Sequence, residues 1–192
     1  MKGKIFNSQE VQAIIAGTKR QFREVIKPYP ILSDEKSYWE FKGIRWAGEN
    51  SSYAKNFGNN ARPEMPDLCP YKVGQKIFCK ERFFVSNYIE LRYEANLSID
   101  EKYYWLPAIK MKQEHSRLTL LIKEIRVEKL IPITQEDCVA EGVKFGYEET
   151  NWGATKAFKD NWNATHKKPE EKFEANPWVW VVDFKINNLG GL

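Results

Sequence analysis

Hydrophobic positions recur along the chain at two periods. Val11, Ile14 and Ile15 share one face of a short helix that Ser8 is placed to cap and Gly17 to close in the left-handed conformation. Lys4-Ile5-Phe6 before it and Gln21 to Ile26 after it read as strands, the second stopped by Pro28 and Pro30. Gln75 to Ser86 alternates strongly behind Gly74, with Ile77, Cys79, Phe83 and Val85 on one face, and Ile89 to Ala95 reads as its neighbour. From Arg117 to Ile131 the apolar phase changes. Leu118, Leu120 and Ile122 share one face, and Ile125, Val127 and Ile131 fall on the other, which predicts a bulge or bend.

Two further helices follow. Thr134 caps one, with Asp137 three residues on, and Gly142 ends it. Ala154, Phe158 and Trp162 give the second, over Ala154 to Thr165, its apolar stripe. A final strand, Pro177 to Ile186, carries Trp178, Trp180, Val182, Phe184 and Ile186 on one face. Strands therefore dominate, with short helices between them. The expected class is α+β on a mixed or closed sheet, not a doubly wound one.

Residues 30–70 differ from the rest. They are rich in Asn, Ser, Pro and aromatics, and Tyr38–Phe41 and Ile44–Trp46 flank Lys42-Gly43 as a hairpin would. We expect residues 1–192 to form one domain, with residues 30–70 as an aromatic-rich insertion.

Composition narrows the function classes. The 192 residues carry a formal net charge of +4, which permits an anionic partner without demanding one. Aromatic residues make up 14%, enough to serve a core and also to stack on planar ligands. Cys69, Cys79 and Cys138 share no CxxC spacing, and His115 and His166 stand alone, so neither a disulfide framework nor a zinc site is expected. The absence of a signal peptide and of a long apolar run points to a cytoplasmic protein away from membranes. Dinucleotide, P-loop and GxSxG motifs are missing, and no cofactor is implied.

Three polar residues stand out. Glu81 shares the apolar face of Ile77, Cys79, Phe83 and Val85, so it needs a cation or must stay protonated. It is either part of a site, with Lys19 or Arg23 as partner, or half of a structural ion pair. Lys19 and Arg23 lie where the first helix hands over to a strand, a junction that suits a ligand site but equally a solvated basic turn. Trp39 and Trp46, with Arg45 beside Trp46, could stack on bases or staple the insertion to the domain.

Four blocks in order, IIAGTKRQFREVIKP, CPYKVGQKIFCKERFF, SRLTLLIKEIRVEKLIPITQEDCVAEGV and NPWVWVVDFK, resemble ASCH-domain proteins, in the form found in phages and prophages. The resemblance covers most of residues 1–29 and 69–186. It implies a PUA-like mixed β-barrel with flanking short helices, and a role in RNA or nucleotide metabolism. The family's Gly-x-Lys…Arg motif, in a cleft beside the barrel, is matched by Gly17, Lys19 and Arg23, with Thr18 between them. Some small members deacylate modified cytidine nucleosides with a Lys, a Thr three residues later and a Glu on a barrel strand. Lys19 and Glu81 match two of those roles, whereas Phe22 occupies the third and has no hydroxyl.

The leading expectation is thus an RNA- or nucleoside-binding protein. Lys19 and Arg23 hold the ligand, with Gly17, Thr18 and Glu81 beside them and Trp39 and Trp46 over the base. The alternatives are a hydrolase, an amidohydrolase or a ribonuclease, with Lys19 and Glu81 catalytic, and a phage accessory protein acting through protein contacts.

Overall fold

In the computed structural model, residues 1–32, 38–42, 44–47, 68–85, 91–96, 104–144 and 151–190 are described. The strands are β1 (Lys2–Ile5), β2 (Gln21–Val25), β3 (Ile31–Leu32), β4 (Tyr38–Phe41), β5 (Ile44–Ala47), β6 (Lys76–Lys80), β7 (Phe83–Val85), β8 (Leu91–Tyr93), β9 (Leu118–Lys129) and β10 (Trp178–Leu189). The helices are α1 (Ser8–Ile15), α2 (Gln135–Ala140) and α3 (Asn151–Thr165). The class is α+β.

The main sheet has five strands in the order β1-β6-β9-β10-β2. It is mixed: β1 runs parallel to β6, and the other pairs are antiparallel. The long β9–β10 ladder is its spine. The pairing slips where Asp183 faces Glu124 but Phe184 faces Ile122, so Lys123 is the extra residue. That bulge is the physical origin of the phase change between Ile122 and Ile125, and it lets both residues reach one core.

The expected closed barrel is not formed by backbone hydrogen bonds among the described residues, because the strand order ends at β1 and β2. Side chains do bring those edges together. Lys4 Nζ lies 2.8 Å from Glu24 of β2, and the rings of Phe6 and Phe22 meet edge-on with centroids 6.1 Å apart.

Two cores line the two faces of this sheet. One gathers Phe6, Val11, Ile14, Phe22, Ile77, Leu120, Trp180, Val182 and Phe184 under α1. The other gathers Val25, Val179 and Val181 with Cys138, Phe158 and Trp162 from α2 and α3. β10 thus buries both faces along Val179–Val182, where alternation alone assigned only one. At roughly 1.5–3 kcal/mol for each large apolar side chain, these two layers dominate the fold's stability.

Two local expectations change and a third holds. Asn7, not Ser8, caps α1: its side chain accepts the Glu10 N–H, and the Glu10 carboxylate accepts the Asn7 N–H, each at 2.9 Å. Ser8 instead donates to Glu94. The strand over Gln75 to Ser86 is broken at Glu81-Arg82, and β7 leaves the main sheet to pair with β8. The aromatic hairpin forms as expected, with Trp39 and Trp46 as register partners in a small β3-β4-β5 sheet. Most of the insertion beyond Ala47 lies outside the described residues. No helix among them is long and apolar enough to cross a membrane.

Candidate functional site

The turn after α1 builds the site. Gly17 has φ 75°, and both Thr18 and Lys19 return their N–H groups to the Ala13 carbonyl. Thr18 is exposed and also donates its hydroxyl to that carbonyl, at 3.0 Å. Arg20 N–H then bonds the Ala140 carbonyl of α2 at 2.7 Å, which clamps the ends of the two helices together. Lys19 is enclosed by this clamp and is only 3% exposed.

Gly142 makes the approach possible. Its φ is 77°, and a Cβ there would stand 2.8 Å from Lys19 Cβ. Through this contact Lys19 Nζ donates to the Glu141 carbonyl at 2.8 Å and to its carboxylate at 3.1 Å. Glu10, the capping-box residue of α1, lies 3.4 Å away. A buried ammonium is thus held by one helix C-terminus and two carboxylates, which offsets its desolvation.

Arg23 lies on β2 beside it, 6% exposed. Its Nη1 donates to Gln21 at 2.7 Å and to the other Glu141 oxygen at 2.9 Å. The Glu141 carboxylate therefore bridges Lys19 and Arg23. Nη2 stands 3.0 Å from Asp137, but at an angle that makes no hydrogen bond, and Nε has no hydrogen-bond acceptor among the described residues. The contact is an ion pair without directional bonding, and the N–H groups on Nε and Nη2 keep their donor capacity.

A cleft of about 660 Å³ opens over these residues. Lys19, Arg23, Glu10 and Glu141 line one end; Lys4, Glu24, Phe158 and His166 line the rest. A smaller recess of about 250 Å³ continues from Glu24 and His166 to Lys27 and Lys42. His166 stacks on Trp162 with ring centroids 3.9 Å apart and planes 10° from parallel. Its Nδ1 is 3.0 Å from the Trp162 carbonyl, which only accepts, so Nδ1 carries the proton and Nε2 the lone pair. Burial pushes the His166 pKa below its ordinary value. For Glu24 burial acts upward, but the Lys4 ammonium and hydrogen bonds from Lys4 and Tyr71 outweigh it and lower the pKa.

Glu81 is placed elsewhere. It is 1% exposed, and both its oxygens accept from Arg117, from Nε and Nη2 at 2.9 Å each. Arg117 Nη1 donates to Asn96 at 2.8 Å, and its guanidinium covers the Tyr93 ring at 4.1 Å. Lys19 takes Glu141 and Glu10 as its partners instead of Glu81. Gly17, Thr18, Lys19 and Arg23 thus come together, whereas Glu81 is bound into the structural ion pair that was the alternative in the sequence. Phe22 packs between Phe6, Tyr71 and Phe184, so the position expected to bear a hydroxyl is filled by core. The side chains of Trp39 and Trp46 lie outside the described residues, and their expected stacking with them.

Sequence reasoning missed Glu10, Glu141 and His166. Glu10 was legible as the fourth residue of Asn7-Ser8-Gln9-Glu10, a capping-box spacing. Glu141 had only its place before Gly142, and His166 only its spacing four residues after Trp162.

No family model and no curated protein matches the chain. Among solved structures it is similar to protein EF3133 from Enterococcus faecalis V583, of the family DUF984, with 10% identity and a TM-score of 0.43 over 98% of this chain and 77% of that one. Fold and cleft together define an α+β protein with a mixed sheet and a charged groove between two helices and a sheet edge. The groove's own residues must carry any functional assignment.

Proposed function

We propose that the protein binds a nucleoside or an RNA nucleotide in the cleft over Lys19 and Arg23. The single observation that supports this most is Arg23: a guanidinium buried at the cleft wall whose Nε and Nη2 make no hydrogen bond within the described protein. A buried donor left unsatisfied costs about 1–3 kcal/mol, and a ligand carbonyl or ring nitrogen would recover it once the cleft wall shifts to admit it to these enclosed nitrogens. The cleft volume suits one nucleoside or nucleotide. Phe158, Trp162 and His166 line it, and the half-buried His166 ring, stacked on the buried Trp162, is the planar surface nearest a base.

The side-chain contact between the edge strands, Lys4 to Glu24 and Phe6 to Phe22, supports a PUA-like arrangement, and with it the ASCH-type motif of Gly17, Lys19 and Arg23. A hydrolase using Lys19 and Glu81 has weaker support, because Arg117 occupies both Glu81 oxygens. Interaction through the insertion depends on side chains outside the described residues.

Isothermal titration with ribonucleosides and short single-stranded RNA tests the proposal. Arg23→Lys keeps the charge but removes the fork of donors, and Lys19→Met removes the ammonium. Each should weaken binding roughly ten- to hundredfold, as expected for a charged hydrogen bond. Wild-type affinity in both variants would make the proposal wrong.

A further inference from the structure

Phe158, Trp162 and His166 follow one another at helical spacing along α3 and its last turn, where the His166 N–H bonds the Trp162 carbonyl at 2.9 Å. Their rings form a short pile. Phe158 and Trp162 have centroids 5.8 Å apart and planes 30° from parallel, and His166 stacks on Trp162 at 3.9 Å. The pile is pinned at two points. Trp162 Nε1 donates to the Glu171 carbonyl at 2.7 Å, and His166 Nδ1 donates to the Trp162 carbonyl at 3.0 Å, with the Thr165 hydroxyl 3.1 Å from the same nitrogen.

His166 is the outermost ring of the pile and lines both the cleft and the recess. No other ring stacks on its outer face among the described residues. Its Nε2 makes no hydrogen bond within them and, unlike Arg23 Nε and Nη2, is not enclosed. With the proton held on Nδ1, a neutral imidazole can only accept at Nε2. The charged groups around it are Lys4 of β1, Glu24 of β2, Lys27, Glu171 and, across the recess, Lys42. Burial, with Lys27 and Lys4 acting in the same direction, keeps the ring neutral against the pull of the Trp162 hydrogen bond and Glu171. Glu24, the carboxylate shared by both compartments, is already engaged by Lys4 and Tyr71.

The position of this lone pair restricts what can donate to it. It lies in the plane of the imidazole. A base stacked on the outer face lies one layer above, with its own N–H groups in its own plane, so they pass over Nε2 without meeting it. The sugar leaves the base plane and can reach down beside the ring's edge. In an RNA chain the 3′ and 5′ oxygens are esterified, so the 2′-hydroxyl is the one donor the sugar keeps. We infer that His166 determines sugar specificity: its Nε2 accepts a hydrogen bond from the 2′-hydroxyl of a ribonucleoside or RNA nucleotide stacked on its ring, so the groove takes ribose in preference to 2′-deoxyribose. This rests on the nucleoside-binding function proposed above and adds to it the class of sugar and the atom that reads it.

The test is calorimetric titration of the whole protein with adenosine, cytidine, guanosine and uridine, each against its 2′-deoxy counterpart. The preferred ribonucleoside should bind roughly three- to tenfold more tightly than its 2′-deoxy form, the range of one hydrogen bond. His166→Phe keeps a ring against Trp162 but has no acceptor. It should weaken the ribonucleoside by that same factor, leave the 2′-deoxynucleoside within about twofold of wild type, and so erase the preference, as a double-mutant cycle on one contact requires. Acidification through the lowered pKa of His166 turns Nε2 into a donor beside Lys4 and Lys27, so the wild-type ribose preference should shrink. A 2′-deoxynucleoside that binds wild type as tightly as its ribonucleoside overturns the role of His166 and leaves the groove a nucleoside site. A ribose preference that survives in His166→Phe overturns it too. Should His166→Phe fold poorly, wild type still answers: a preference unmoved once NMR shows the His166 ring protonated overturns the role. If neither series binds, the functional proposal fails first and the role of His166 falls with it.

Discussion

The molecule buries two guanidinium groups and treats them differently. Arg117 gives Nε and Nη2 to Glu81 and Nη1 to Asn96, and lies over Tyr93. Each of its three nitrogens donates a hydrogen bond inside the fold. Arg23 is as deeply buried and has more carboxylates near it, yet Nε and Nη2 make no hydrogen bond within the described residues, and it borders an open cleft. Burial of a charge therefore does not by itself separate scaffold from site. What separates them is whether the protein satisfies the charge's nitrogens with hydrogen bonds, as it does for Arg117, or leaves buried donors unsatisfied beside a cleft, as it does for Arg23.

The largest effect should come from opening the closed cluster. Arg117→Met leaves Glu81 buried without a cation and should cost about 3–5 kcal/mol in urea unfolding. Arg23→Lys should cost less, about 1 kcal/mol, because the lost Nε and Nη2 bonds are not made in the free protein. If Arg23→Lys destabilises as much as Arg117→Met, the contrast is wrong.

A smaller effect concerns pH. His166 has a lowered pKa in the folded protein, against an ordinary value of 6.5, so the unfolded chain takes up its proton first as pH falls. Its contribution is complete above the ordinary value and is lost on acidification toward the folded one. Glu24, lowered from 4.5, acts in the same sense in a more acidic window. Stability should therefore fall from pH 7 to 5, and His166→Asn should flatten that part of the profile while leaving the loss below about pH 4.5. Superimposable profiles would remove His166 from the account.

Much of the fold was legible because it rests on local periodicity. The Ile122-to-Ile125 phase change foretold the Lys123 bulge, Gly17 and Gly142 foretold the left-handed helix ends, and Lys42-Gly43 the hairpin. The break at Glu81 was not legible, since alternation continues through it and only the distant Arg117 explains it. The site was half legible. Lys19 and Arg23 share one short motif, but Glu141 arrives from more than a hundred residues away, through a glycine contact that no local pattern encodes.

The cleft over Lys19 and Arg23 is the proposed ligand site. Backbone amide NMR spectra recorded during titration with the four ribonucleosides test it most directly. Saturable shifts should cluster at residues 17–23 and 141–144 and on the α3 face near Trp162 and His166, with the amides of Glu81 and Arg117 still. Shifts centred on Glu81 and Arg117, or none in the cleft at saturating nucleoside, would contradict it.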